Sequence, residues 1–493
     1  MTRITIDPIT RLEGHGKIDI FLDDNGDVAD CYFIVPELRG FEAFCVGRPV
    51  EEMPRITSRI CGVCSDAHHL AAAKACDDVF HVDIPPTAKK LRELLYSAFF
   101  VADHATHFFI LAGPDFVMGP DAPPAERNIL GMIHKLGIDV GKKVIEARAA
   151  GHDVIKILGG KSIHMVTSIP GGVTKGLTEE EREKVVADGE LLLEFGKFTV
   201  EVLNEAVLAN PAYLEMILSD TYTHRFHSMG TVDADNHVNF YDGEVRVVDP
   251  AGAEVVRYHP RDYLQHVAEH TEPWSYLKFP FLKAKGWTGF TDGPDSGLYR
   301  ATPLSRLNVS EGMATPLAQA EYERFYETLT GDRTGKTPVH QTLATHWARV
   351  VELVYAAERT LQLATDDEIT SEDIRVIPTE TPTEGVGSVE APRGTLTHHY
   401  VTDERGILKA VNLIVGTTNN HGAISMSIKK AAEGIIKRGI EVTEGVLNRI
   451  EMAFRAYAPC FACATHSLPG QMPLQITVRD AKGEVMEVLK QNC

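Results

Sequence analysis

The sequence predicts an α+β fold that is mainly helical, a long-helix core carrying small peripheral antiparallel sheets. Three observations predict it. The middle of the chain holds long apolar stretches with helix-start signals, and shorter regions elsewhere read as strands around turn residues. No repeat, low-complexity tract or Gly/Ser linker divides the 493 residues. One continuous domain over residues 1–466 is expected, with residues 467–493 following it as a hairpin.

In chain order, Gly16 to Phe21 and Val28 to Val35 alternate as strands do, and Asn25-Gly26 between them is the favoured type I′ hairpin turn. From Asp66 the pattern turns helical. Pro85-Pro86-Thr87 opens a long apolar run to Ala112, a further helical stretch covers Ala125 to Leu158, and Thr178 with Glu181 forms a capping box. The most apolar segment, Leu94 to Ala102, is too short to span a bilayer and runs into Asp103, His104 and His107, so a buried core helix is expected. Strands return at Val238 to Val248, turning at Asp242-Gly243, and at Leu396 to Val415, turning near Glu404-Arg405-Gly406. The closing hairpin is expected to turn at Lys482-Gly483.

Length and a 44% hydrophobic share allow a large buried core. A net charge of -20, with acidic residues spread along the chain, argues against a nucleic-acid surface, which needs clustered Lys and Arg. Eight cysteines are too sparse for a disulfide framework and read as thiols of a reducing compartment. Cys31, Cys45, Cys76 and Cys493 belong to no motif and read as buried or tolerated residues. Met1 to Asp7 lacks the apolar run of a secretory signal, and no twin arginines occur there, so a cytosolic protein is expected.

The other four cysteines form two pairs, Cys61-Gly62-Val63-Cys64 and Cys460-Phe461-Ala462-Cys463. Each pair can place two thiolates on one metal, and thiolate selects nickel, copper(I), zinc or iron-sulfur over magnesium or calcium. A structural zinc site usually keeps both pairs in one small module, whereas nearly four hundred residues separate these. Spacing alone leaves a long-range zinc staple open beside a redox centre.

The flanks are more specific. Arg59-Ile60-Cys61-Gly62-Val63-Cys64-Ser65-Asp66-Ala67-His68 and Ala458-Pro459-Cys460-Phe461-Ala462-Cys463-Ala464-Thr465-His466 closely resemble the signatures of nickel-iron hydrogenase large subunits. So, in the same order, do Thr10 to His15, Glu37 to Glu42, Asp103-His104 with His107-Phe108, and Glu390-Ala391-Pro392-Arg393-Gly394. Within that family the chain is most similar to the cytosolic methyl-viologen-reducing or deazaflavin-non-reducing group, through Glu52-Met53-Pro54-Arg55 and Gly113-Pro114-Asp115.

The resemblance implies the large-subunit fold and the reversible splitting of dihydrogen into protons and electrons. It implies Cys61 and Cys460 as terminal nickel ligands, with Cys64 and Cys463 bridging nickel to an iron that carries one carbon monoxide and two cyanides. Cys460 would pass a proton to Glu13, otherwise an ordinary surface ion-pair residue, since a nearby carboxylate can relay it outward. Arg393 would face one cyanide and Thr417 the other, Asp103 would orient Arg393, and His68 would hydrogen-bond near a bridging sulfur. Glu42, a backbone carbonyl near Leu413 and His466 would hold magnesium or another divalent ion. Residues 467–493 would be a C-terminal extension, cut after His466 by a maturation protease once nickel is in place.

One departure stands out. The family has Asp before Pro-Cys and this chain has Ala458, so a buried Arg393 that lost a charged acceptor would forfeit about 3 to 5 kcal/mol unless a neighbour replaces it. Slower turnover, restored by Ala458→Asp, is then expected. No third cysteine cluster remains for an iron-sulfur relay, so an iron-sulfur small subunit is implied as partner, with a heterodisulfide reductase complex beyond it. Two rival readings are a metal-free scaffold like the quinone-site subunit of respiratory complex I, against which all four retained cysteines argue, and a structural zinc protein.

Overall fold

A computed structural model of the protein describes residues 2–465, 474–479 and 484–491. The chain opens with an antiparallel sheet of β1 (Thr2–Ile6), β2 (Lys17–Leu22) and β3 (Val28–Ile34). Ile18, Ile20 and Phe33 turn inward with the two-residue period of a half-buried sheet. β1 is a strand that the sequence reading does not include. The β2–β3 connection is not the expected type I′ turn. Gly26 has φ +88° but Asn25 stays at negative φ. The Asp23 carboxylate instead accepts from the Asn25 and Asp27 amides at 2.8 and 3.0 Å, and the register shifts between Phe21 and Leu22.

After the short helix α1 (Phe41–Cys45) come α2 (Ser65–Val79) and α3 (Pro86–Thr106). Proline at the start of α3 lacks only an N–H that would have no helical partner there. The helix continues through a π turn, His107–Ala112, to Val117. Among the described residues, Pro86–Val117 is the one helix long and apolar enough to cross a membrane, and 83% of its apolar window is buried in this protein. The expected core helix is there. The stretch from Ala125 is two helices, α4 (Ile129–Leu136) and α5 (Ile138–Gly159), because Gly137 at φ +96° breaks it. α6 (Glu179–Leu203) begins at the expected capping box, with Thr178 and Glu181 each accepting the other's amide at 3.2 Å.

The next sheet contains β4 (His227–Val232), β5 (Glu244–Val248) and β6 (Glu254–Tyr258). The hairpin expected over Val238 to Val248 is half right. β5 pairs with β4, while Val238 to Tyr241 is largely looped around Asn239, whose side chain accepts from the Tyr241 and Asp242 amides at 2.9 and 3.0 Å. A short-range polar capture thus replaces the strand pairing that the alternation suggests.

α7 (Thr345–Ala364) packs against α3 and α6, and α5 against α3 and α6, so the four longest helices share one apolar core. Beside them lies the antiparallel sheet of β7 (Glu384–Ala391), β8 (Gly394–Thr402) and β9 (Leu408–Ile414), whose β8–β9 hairpin matches the expected strands. α2 lies on β7, and a Cβ at Gly387 would come within 2.1 Å of the Ala71 carbonyl. Only glycine permits that approach. α8 (His421–Ile435) and α9 (Glu444–Arg455) cover the first sheet and lead to the second cysteine pair. In the extension, Leu474–Arg479 and Val485–Gln491 pair antiparallel, while its Lys482-Gly483 turn, His466 and Cys493 lie outside the described residues.

Candidate metal centre

The two cysteine pairs meet in the interior. Each precedes or begins a helix: Cys64 stands just before α2, and Cys460 is extended before the single turn Phe461–Ala464. Sγ of Cys61 lies 3.3 Å from that of Cys460, Cys64 lies 3.0 Å from Cys463, and Cys460 lies 3.1 Å from Cys463. All four are buried, none is in a disulfide, and all four sulfurs lie within 4.8 Å of one another. Among the described residues this is the one cluster of three or more His, Cys, Asp or Glu donors at metal-ligating spacing.

The electrostatics call for a cation. Thiol donors from Cys460, Cys463 and Cys64 hold the Cys61 thiol well below the usual range, whereas burial pushes Cys460 and Cys463 well above it. The site stabilises one thiolate and resists more, because beyond the charge that Arg393 offsets, further negative charge in a dry pocket needs another counterion. A bound metal supplies that counterion and releases the remaining protons, so the donor set fits a thiophilic metal centre.

Glu13 reaches this cluster from the segment between β1 and β2. Its Oε2 lies 3.0 Å from Cys460 Sγ and accepts from the Ala462 amide at 3.0 Å, and its carbonyl accepts from the Phe461 amide at 3.1 Å. Burial and the charge on Cys61 push its carboxyl above the usual range, partly opposed by those donors and by Arg393. Gly14, at φ +86°, lies so close that a Cβ there would be 2.9 Å from Phe461 Cβ. Arg39, which precedes α1, ties the pairs together. Its Nη1 donates to the Ile60 carbonyl and to the Ala462 carbonyl, the latter at 3.2 Å, while its amide donates to the Thr465 carbonyl at 2.8 Å.

Arg393, between β7 and β8, is buried and doubly held. Nη1 donates to Asp103 Oδ1 at 3.0 Å and Nε to the Ala458 carbonyl at 2.7 Å. Burial opposes its charge, but Asp103 and the cysteines together hold its pKa well above normal. The carboxylate expected at position 458 is therefore partly replaced by a backbone carbonyl, which Ala458 presents from a left-handed conformation, φ +48°. Thr417 Oγ1 accepts from the Cys460 amide at 3.1 Å, which leaves its hydroxyl proton available to a second acceptor. His68, on α2, places Nε2 3.4 Å from Cys463 Sγ.

Several neighbours escaped the sequence reading. His398 and Tyr400 on β8 continue a hydrogen-bonded line from His68. Asp66 is buried beside Cys64 with Oδ2 on Ser65, and its burial pushes its carboxyl up to about 7. Behind Asp103, the Arg306 guanidinium joins Glu352 and Glu390, and Glu352 accepts from His104 at 2.9 Å. Glu390 belongs to the quoted Glu390–Gly394 motif, but nothing local marks its partners.

Glu42 and Leu413 do meet: Glu42 Oε1 accepts from the Leu413 amide at 2.8 Å, with Lys278 Nζ 3.6 Å from Oε2. Lys278 also pairs with Glu269 at 3.2 Å, so the two carboxylates share this ammonium. His466, the expected second ligand, lies outside the described residues.

A family model described as nickel-dependent hydrogenase matches residues 39–130 and 123–466, and one described as HoxL-like matches residues 3–38. The chain is 48% identical over 490 residues to an F420-non-reducing hydrogenase iron-sulfur subunit of Archaeoglobus profundus, covering 99% of this chain and 100% of the relative. It is 40% identical to the corresponding F420-non-reducing hydrogenase subunit of Methanothermobacter marburgensis, covering 99% and 100%. A solved NAD+-reducing [NiFe]-hydrogenase in the H2-reduced state superposes with a TM-score of 0.87 at 37% identity, over 94% of this chain and 100% of that one. With the four sulfurs converged and the family signatures around them, the chain belongs to the nickel-dependent hydrogenases, as a large subunit of the nickel-iron type.

Proposed function

We propose that this subunit splits dihydrogen heterolytically at a nickel-iron centre held by Cys61, Cys64, Cys460 and Cys463, with iron carrying carbon monoxide and cyanide. The observation that carries the reading is the cluster of four buried sulfurs with a carboxylate 3.0 Å from one of them. Nickel and iron supply, when bound, the redox and Lewis-acid chemistry. Cys460 Sγ gives its proton to Glu13 Oε2, which the Ala462 amide holds in line, and burial keeps the carboxyl basic enough to take it. Arg393, fixed by Asp103 and the Ala458 carbonyl, keeps a positive charge beside the thiolates; it would hold one cyanide of the bound centre and the Thr417 hydroxyl the other. Magnesium at Glu42, Leu413 and His466 would tie the end of the mature domain to α1.

Residues 1–466 form the mature catalytic domain, and a maturation protease removes 467–493. Electrons leave to an iron-sulfur small subunit, then pass to a heterodisulfide reductase complex in the cytoplasm, as the similarity to the F420-non-reducing group suggests. Infrared spectra and metal analysis of the protein from its native host test the core of this reading. Nickel, iron and metal-bound carbon monoxide and cyanide bands are expected. Zinc without nickel, or no such bands from a chain already ending at His466, would overturn it.

A further inference from the structure

A line of hydrogen bonds leaves the cysteine cluster at Cys463, whereas Glu13 meets it at Cys460. Cys463 Sγ meets His68 Nε2 at 3.4 Å, His68 Nδ1 meets His398 Nε2 at 3.1 Å, and His398 Nδ1 meets Tyr400 Oη at 2.6 Å. His68 and His398 are fully buried, as is Tyr400. His68 stands on α2 and the other two on β8, which pairs with β7; there Gly387, opposite His398, makes the close approach to Ala71 of α2. The line is thus held by packing as well as by its own bonds.

Its direction follows from proton counting. One proton can sit between the two imidazoles, since two N–H groups facing each other repel. While Cys463 is a thiol, the line can run either way: the sulfur donates to His68, or Tyr400 donates toward the sulfur. Outside turnover, a Cys463 sulfur that ligates metal would have lost its thiol proton and could only accept. His68 must then carry its hydrogen on Nε2 and accept on Nδ1, and His398 must carry its hydrogen on Nε2 and accept on Nδ1. Tyr400 closes the line as the donor. Burial raises the Tyr400 pKa well above normal, so the hydroxyl keeps the proton that this role needs.

We propose that His398 and Tyr400 are positioning residues that fix the tautomer of His68, so that its Nε2–H is aimed at the Cys463 thiolate once metal is bound. The inference rests on the proposed nickel-iron centre. A hydrogen bond to a metal-bound thiolate withdraws electron density from the sulfur and so from the metals. Tyr400→Phe keeps the ring and removes only the donor, which frees His398 to hold its hydrogen on Nδ1 and breaks the enforced direction.

The test compares infrared bands of metal-bound carbon monoxide and cyanide in the purified complex of parent, His68→Leu, Tyr400→Phe and His398→Leu. The parent spectrum alone decides the nickel-iron reading: without those bands that reading fails. Given the bands, loss of the hydrogen bond enriches the metals in electrons and moves the carbon monoxide band to lower frequency. The expected result is a downward shift in Tyr400→Phe of the same sign as in His68→Leu, with the nickel content of the parent. Parent-like bands in Tyr400→Phe would overturn the proposal and leave Tyr400 as core packing. If Tyr400→Phe does not load metal, the same bands in His398→Leu decide, and a parent-like spectrum there, or failure of both variants to load, overturns the proposed role as well.

Discussion

Glu13 and Cys460, 447 positions apart, face each other twice: Sγ lies 3.0 Å from Glu13 Oε2, and the two backbones form a parallel bridge. The side chain that would accept the proton is therefore registered to its donor by the main chain. Glu13→Gln keeps the shape and the Ala462 contact but cannot take a proton. It should leave nickel content and fold unchanged while lowering H2 oxidation by roughly 10²- to 10⁴-fold, the usual worth of a positioned acid–base group. Hydrogen uptake assays beside metal analysis check it; activity within twofold of the parent would remove Glu13 from the proton path.

Ala458 makes a second case. Arg393 already has Asp103 and the Ala458 carbonyl, so Ala458→Asp should change turnover by less than about threefold, under 1 kcal/mol of barrier. The sequence alone suggests a larger gain. Because Ala458 sits at φ +48°, Ala458→Gly should raise the melting temperature, relieving about 1 kcal/mol of left-handed strain. Calorimetry and steady-state rates read the two effects separately.

Arg39 touches carbonyls from both cysteine loops. Arg39→Ala should cost about 1.5 to 3 kcal/mol of bonding between the loops while leaving the helical core intact. Nickel occupancy after dialysis against a chelator should fall well below that of the parent, with little change in helix content by circular dichroism. Unchanged retention would show that the loops hold each other without it.

Acid should weaken the fold from near neutral pH. His69 is buried with Nδ1 donating to the Pro54 carbonyl at 2.9 Å and Nε2 accepting from the Ser168 amide at 3.1 Å, and burial lowers its pKa to about 4. His340 is lowered to about 4 and His346 to about 3, in both cases first by burial. Between those values and the unfolded pKa near 6.5 the unfolded chain binds more protons, so stability falls as pH drops. His69 alone accounts for ~3 kcal/mol between pH 6.5 and 4. Melting temperatures across that window should fall, and less steeply in His69→Gln; equal slopes would exclude His69 as a contributor.

The metal ligands and their immediate company were legible because they sit in short contiguous motifs: the two cysteine pairs, Glu13, Asp103 and Arg393. His398, Tyr400, Glu352 and Arg306 were not recognised as neighbours, since their partners lie on distant elements and a buried polar residue leaves no periodic trace. The helices were readable from their apolar runs and caps, except where one residue overruled the pattern, as Gly137 does between α4 and α5. The two misread turns share a cause. The Asp23 and Asn239 side chains bind nearby amides and divert the backbone from the pairing that alternation suggests.

The distance along the chain between the two halves of the metal site also sets a clock. Cys61 and Cys460 are 399 residues apart, so at ordinary rates of protein synthesis the first pair waits roughly 20 to 80 s for the second. Throughout that interval the earlier thiols have no partner loop, no Glu13–Cys460 bridge and no Arg39 staple across the gap. They must be kept reduced and free of stray metal by the cell rather than by the fold, and a newly made chain is most vulnerable to oxidation during those seconds.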